Sequence, residues 1–99
     1  MADEAFNFTL PATSNYYSLY DQIRAVPGLA WVPNAVCELI LCSDSATVLM
    51  ATKNYANAPG VPVLSGGSML LRRPTNSVNL ANIYLSGSGA VFSGWFGWI

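Results

Sequence analysis

The last ten residues, Ala90 to Ile99, carry large apolar side chains on both faces of any strand they form. Successive side chains of a strand point in opposite directions. Val91, Ser93, Trp95, Gly97 and Ile99 therefore share one face, and Phe92, Gly94, Phe96 and Trp98 share the other. An antiparallel strand with one side in water shows one polar face. This strand must instead lie between two layers, or have one face covered by another chain. Its glycines make room beside the large rings. Trp95 and Trp98 project oppositely, so one is expected in the chain's own core and the other in a subunit contact.

The remaining segments read mostly as short strands. Ala5-Phe6-Asn7-Phe8-Thr9-Leu10 alternates before Pro11, with Phe6, Phe8 and Leu10 on one face. Ala35 to Cys42 is apolar on both faces except Glu38. Ser43 to Ala46 is turn chemistry, and Thr47 to Thr52 follows as a hairpin partner. Asn54 to Pro62 is a loop, and Val63-Leu64 leads into a turn at Ser65-Gly66-Gly67. Ser68 to Arg73, Ser77 to Leu85 and Ala90 to Ile99 are strands, the last two joined by Ser86-Gly87-Ser88-Gly89. One helix is expected: Ser18 caps Leu19 to Val26, Leu19, Ile23 and Val26 share a face, and Pro27-Gly28 ends it. Two turns of helix cannot stand alone and must pack on something. No internal repeat is present. Strands at this spacing with Gly/Ser turns predict an all-β chain: an antiparallel β-sandwich, jelly-roll-like, with one short helix near residues 18–26. Pro11 marks off an N-terminal arm, residues 1–12, from a single domain, residues 13–99. Fully extended, about 12 residues reach roughly 40 Å, enough for Phe6, Phe8 and Leu10 to strap a neighbouring subunit.

Charge narrows the possible functions. Of 99 residues only 9% are charged, against about 25% in an ordinary soluble domain. So few charges suit a homo-oligomer, a trimer by preference, better than a free monomer. Residues 1–44 hold all five acids (Asp3, Glu4, Asp21, Glu38, Asp44) and one base, Arg24; residues 45–99 hold Lys53, Arg72 and Arg73 and no acid. The two halves are expected to interleave in one fold so that these charges mix, with attraction between neighbouring copies as the alternative. Arg72 and Arg73 point to opposite sides of a strand, so one is expected at an interface or in a salt bridge and the other in solvent. Two such bases are not a stripe, and nucleic acid is not an expected partner. Residues 74–99 carry no charge, yet their glycines and asparagines do not suit a membrane span. The acidic start, Met-Ala-Asp-Glu-Ala, is unlike a secretory leader. Cys37 and Cys42 are five residues apart on one strand and face opposite ways, as expected of free thiols made in a reducing cytoplasm. Asn7-Phe8-Thr9 matches a glycosylation sequon, without a secretion signal to go with it.

Catalytic constellations are thin. The chain has no His, the commonest general base and metal ligand. Gly66-Gly67-Ser68-Met69-Leu70 lacks the spacing of a nucleophile elbow, and Gly87-Ser88-Gly89 lacks the third glycine of a dinucleotide fingerprint. A carboxylate pair for glycoside cleavage would need Glu38 with Asp21 or Asp44. Glu38 is instead expected at a partly exposed strand position or paired with a base. No catalytic residue, metal or cofactor is expected, and the chain reads as a non-enzyme. Trp31, Trp95, Trp98, Tyr16, Tyr17 and Tyr20 suit a core or a protein interface, with a sugar-stacking platform as the alternative.

Several segments taken together resemble a known family. They are Ser18-Leu19-Tyr20-Asp21-Gln22-Ile23, Val36-Cys37-Glu38-Leu39-Ile40-Leu41, Thr47-Val48-Leu49-Met50, Val63-Leu64-Ser65-Gly66-Gly67-Ser68 and Asn76 through Leu85, followed by a short Gly-containing turn and an aromatic last strand. Their order resembles that of small β-sandwich structural proteins of tailed bacteriophage particles. The resemblance implies a jelly-roll-like shell component, made in the host cytoplasm and present in many copies on the virion. A capsid decoration or cement protein is the leading expectation, with the major capsid protein or another virion protein as partner. A tail, neck or fibre component is an alternative, and a carbohydrate-binding β-sandwich module is a rival of another class. The resemblance transfers no site residues. The interface candidates come from the residues themselves: Phe6, Phe8, Leu10, Arg72, Arg73, Trp95 and Trp98.

Overall fold

The last strand organises the molecule. A computed structural model describes residues 2–13, 15–29, 32–44, 48–51, 61–63 and 66–99. In it β1 (Ala2–Thr9), β4 (Glu38–Ser43), β7 (Ser68–Arg72) and β10 (Val91–Trp98) form one antiparallel sheet in the order β1-β10-β4-β7. With β10 between β1 and β4, both its backbone edges are paired. A second antiparallel sheet runs in the order β2-β9-β5-β6, from β2 (Tyr17–Ser18), β9 (Tyr84–Ser86), β5 (Val48–Ala51) and β6 (Val61–Val63). A two-stranded ribbon pairs β3 (Ala35–Val36) with β8 (Val78–Asn79). The helix α1 spans Leu19–Arg24. The chain is thus mostly β, with antiparallel sheets and one short helix.

One apolar cluster joins these elements. Phe92 and Phe96 of β10 are fully buried, as are Leu39 and Leu41 of β4, Leu85 of β9 and Leu19 and Ile23 of α1. Rings continue across the paired β1 and β10: Phe92 stacks on Phe8 (centroids 5.5 Å apart), Phe8 on Phe6 (5.8 Å) and Phe6 on Phe96 (6.2 Å). Trp98 follows, tilted 5.6 Å from Phe96. Offset aromatic pairs at this spacing add to the stabilisation their burial supplies. Gly94 sits between the two buried phenylalanines, opposite Phe6, and the Phe6 ring lies over it.

Residues 2–9 are not a separate arm. They pair with β10 from end to end, and Phe6, Phe8 and Leu10 are buried in the chain's own core. These three side chains were expected in a contact with another subunit, and their place in the core removes them from its surface. The reason is the other face of β1: Asp3, Ala5, Asn7 and Thr9 are all exposed, so the strand has one apolar face to bury, and β10 supplies the rings to bury it against.

The structure departs from the sequence expectations at four further points. Ala35 to Cys42 is not one strand, because the chain bends at Cys37 and passes from the ribbon to the larger sheet. The Cys37 N–H donates to the Gly97 carbonyl (2.9 Å) and the Arg73 N–H to the Cys37 carbonyl (2.8 Å), so the bend keeps its backbone groups paired. β5 is not a hairpin partner of β4, since it pairs with β6 and β9 in the other sheet. Ser77 to Leu85 is broken by a 3-10 turn, Leu80–Asn82, where the Asn79 side chain accepts from the Ala81 N–H (3.0 Å). This is the local competition with the ladder that makes asparagine a turn residue. The helix stops two residues before Val26, and the Ser18 side chain makes no capping bond, its backbone being held in β2. Between β9 and β10 the chain turns with Ala90 N–H bonded to the Gly87 carbonyl (3.1 Å) and Gly89 at φ +68, the third-position conformation of a type II turn. Ser14, Trp31, Lys53, the turn at Ser45 and Ala46, most of the loop from Asn54 and the Leu64-Ser65 step lie outside the described residues.

Candidate interaction face

The sheet β1-β10-β4-β7 has a second side, turned away from the rings. Directly paired residues of neighbouring strands share a face, so the register lays this side out in rows. Ala5, Trp95, Ile40 and Leu70 form one row across all four strands. On one flank lie Asp3, Gly97, Glu38 and Arg72, and on the other Asn7, Ser93, Cys42 and Ser68. An apolar band thus crosses the sheet between a charged row and a polar row. Leu70 is 54% exposed, Ala5 is exposed, and Trp95 and Ile40 are half-buried by their neighbours.

The charged row is built around one ion pair. Glu38 is nearly buried, with its side chain 7% exposed, and Arg72 opposite it is 67% exposed; Arg72 Nε donates to Glu38 Oε2 at 2.8 Å. Burying a carboxylate costs free energy unless a charged hydrogen bond offsets it. Glu38 is therefore the paired member of the two alternatives its sequence position allowed. The bond uses Nε alone, and the terminal nitrogens of Arg72 have no partner among the described residues. In the polar row the Ser93 hydroxyl donates to Asp44 Oδ1 (3.0 Å). At the end of β10, Asn76 grips Ile99 from both sides: its Nδ2 donates to the Ile99 carbonyl (2.9 Å) and its Oδ1 accepts the Ile99 N–H (3.0 Å).

The structure brings together only part of the expected interface set. Trp95 and Arg72 lie on this face. Trp98 is on the opposite side and packs against the core. Arg73 has left the strand, and its Nη1 donates to the Arg72 carbonyl (2.9 Å). Ile40, Leu70, Ala5 and Asp3 complete the face and were not singled out from the sequence. Their signal is present there, since Ile40 falls in a segment apolar on both sides and Leu70 in the run Met69-Leu70-Leu71.

Elsewhere the surface of the described residues is chemically sparse. A trough of about 250 Å³ runs beside β1, between Asn7, Phe8 and Thr9 on one side and Gln22, Ala25 and Val26 on the other, and no titratable side chain lines it. Neither Cys37 nor Cys42 is in a disulfide; Cys37 is buried, with its Sγ donating to the Gly97 carbonyl (3.4 Å), and Cys42 is half-buried. Among the described residues no three His, Cys, Asp or Glu side chains come together as metal ligands, and no helix is long and apolar enough to cross a membrane. Tyr20 lies beneath the Arg24 guanidinium, 5.3 Å from its ring centre. No protein-family model, curated protein or solved structure matches the chain.

Proposed function

We propose that this chain is a non-enzymatic structural protein of a virion, a capsid decoration or cement protein, and that it works by pressing the outer face of β1-β10-β4-β7 against other subunits. The observation that carries the reading is the row Ala5-Trp95-Ile40-Leu70, a band of apolar side chains across a whole sheet on a chain with 9% charged residues. Such a band rimmed by polar residues is the anatomy of a protein contact. Its chemistry is adhesion: apolar area removed from water contributes about 25 cal/mol per Å², less the entropy lost on docking, and many copies multiply a modest gain. The two four-stranded sheets that share one core are consistent with a β-sandwich of jelly-roll type, as the resemblance to tailed-phage structural proteins implies. The polar, uncharged lining of the trough beside β1 offers no acid or base to a substrate.

Binding of the purified protein to empty phage shells tests this reading, with Leu70→Glu alongside. The wild type binds the shells and the variant, folded to the same melting temperature, does not. A wild-type protein that binds a defined sugar on a glycan array and ignores the shells would replace the reading with the carbohydrate-binding one.

A further inference from the structure

The rows of the outer face are complementary to themselves, and we infer that the face binds a second copy of this chain about a two-fold axis lying along the strands. The inference rests on reading this face as a contact surface, and not on the virion assignment. Rotation about such an axis keeps each row at its own height and reverses the strand order. β7 of one copy then lies over β1 of the other, and β4 lies over β10.

Each row responds to this reversal in its own way. In the apolar row the exposed Leu70 meets Ala5 of the other copy, a large side chain against the smallest in the row, and Trp95 meets Ile40. In the charged row Arg72 meets Asp3, and by symmetry Asp3 meets Arg72. Arg72 has terminal donors left over from its bond to Glu38, and the exposed Asp3 carboxylate has no partner among the described residues. Glu38, nearly buried and already neutralised, falls opposite Gly97, which leaves it undisturbed. In the polar row Asn7 meets Ser68 and Ser93 meets Cys42. A two-fold axis across the strands fails the same tests: it stacks Leu70 on Leu70 and Ala5 on Ala5, and sets Arg72 over Ser68.

Sheets packed face to face lie about 10 Å apart with their strands inclined by about 30°. That inclination moves the edge strands by about 4 Å relative to each other, within the reach of an arginine side chain. Four strands at about 4.8 Å and three rows make a face of roughly 400 Å² on each copy. A contact of this size belongs to the weak class, with a dissociation constant expected in the range of about 1–100 μM. The free protein is then a two-fold pair in place of a trimer, and the pair must open before the same face docks on a shell.

Sedimentation equilibrium of the full chain, with Asp3→Lys and Leu70→Ser, tests the inference. Both substitutions sit at exposed positions, and circular dichroism melts report whether each variant folds. The wild type is expected to be a dimer in the micromolar range. Asp3→Lys sets Lys against Arg72 twice per dimer and weakens it about ten-fold, an effect that shrinks in 1 M salt. Leu70→Ser weakens it by about ten-fold or more at any salt concentration. Should Leu70→Ser fail to fold, Asp3→Lys and its salt dependence give the answer alone. A wild type that is monomeric to about 1 mM, a trimer, or a dimer indifferent to Asp3→Lys overturns the inference. A monomer that still binds shells through Leu70 removes the two-fold pair and leaves the proposed function standing; a dimer that ignores shells does the reverse.

Discussion

Replacing Gly94 with alanine puts a methyl group where the sheet has no space for one. A β-carbon at this position runs into the carbonyl oxygen of Ile40, and lies 3.0 Å from the carbonyl carbon of the same residue and 2.9 Å from Phe6 Cζ. The Phe6 ring can tilt away, but the Ile40 carbonyl is backbone of the adjacent strand. Relief requires β10 and β4 to separate beside the pairs that flank Gly94, Ser93 with Cys42 and Trp95 with Ile40. Overpacking costs about 1–3 kcal/mol when side chains can adjust, and a backbone obstacle belongs at the top of that range. Weakening the hydrogen bonds of two flanking pairs adds about 1 kcal/mol each. The lost flexibility of the unfolded chain returns about 0.5–1 kcal/mol. The net is a destabilisation of about 4 kcal/mol, a large share of the 5–15 kcal/mol that typically holds a domain of this kind. For a domain of this length it corresponds to a fall in melting temperature of about 15–30 °C. Thermal and urea denaturation followed by circular dichroism measure it, with Gly89→Ala for comparison. Gly89 has a positive φ and open space around it, so alanine there costs only the left-handed strain, about 1–2 kcal/mol. A Gly94→Ala variant within 1 kcal/mol of wild type would show that β10 and β4 are not packed as described.

Trp98→Ala should lower stability by about 3 kcal/mol, because Trp98 ends the buried run of rings, whereas Trp95→Ala should leave the monomer's melt nearly unchanged and weaken association; equal losses of fold stability would place both in the core. Arg72→Ala strands a nearly buried carboxylate and should cost about 2 kcal/mol, with Glu38→Leu combined with Arg72→Met recovering most of it; denaturant melts of the three proteins decide, and no recovery would mean that the ion pair is not the cause. Deleting residues 2–9 removes Phe6 and Phe8 from the core and a full strand from the sheet, so the remainder should fail to fold; a truncated chain with a cooperative melt would restore the arm that the sequence suggested.

What the sequence revealed and what it concealed have a common physical cause. Period-two alternation is local, so β10 and its two apolar faces were legible, as were the Phe6/Phe8 face of β1 and the Leu19/Ile23 stripe of α1. Which strands become neighbours is not local. Alternation and Pro11 pointed to Phe6 and Phe8 as a strap for another subunit, and the non-local order β1-β10 puts them in their own core instead. The same holds for Glu38 and Arg72, 34 residues apart and joined solely by the β4–β7 register. Two breaks were concealed for a different reason. The bend at Cys37 and the 3-10 turn after Asn79 fall inside runs whose composition continues the strand, and their cause is hydrogen bonding to Gly97 and to the Asn79 side chain. The face itself was half legible: Trp95 and Arg72 were marked by residue type, whereas Ile40, Leu70, Ala5 and Asp3 became members of it through alignment across strands.

An electron cryo-microscopy reconstruction of the particle proposed to carry this chain tests most directly whether the outer face of β1-β10-β4-β7 is its working surface. The account predicts continuous density over the row Ala5-Trp95-Ile40-Leu70, with Leu70 and Trp95 buried against a neighbouring subunit and Arg72 facing a carboxylate. A reconstruction in which that face is open to solvent, and the contacts are made by other surfaces, would contradict it.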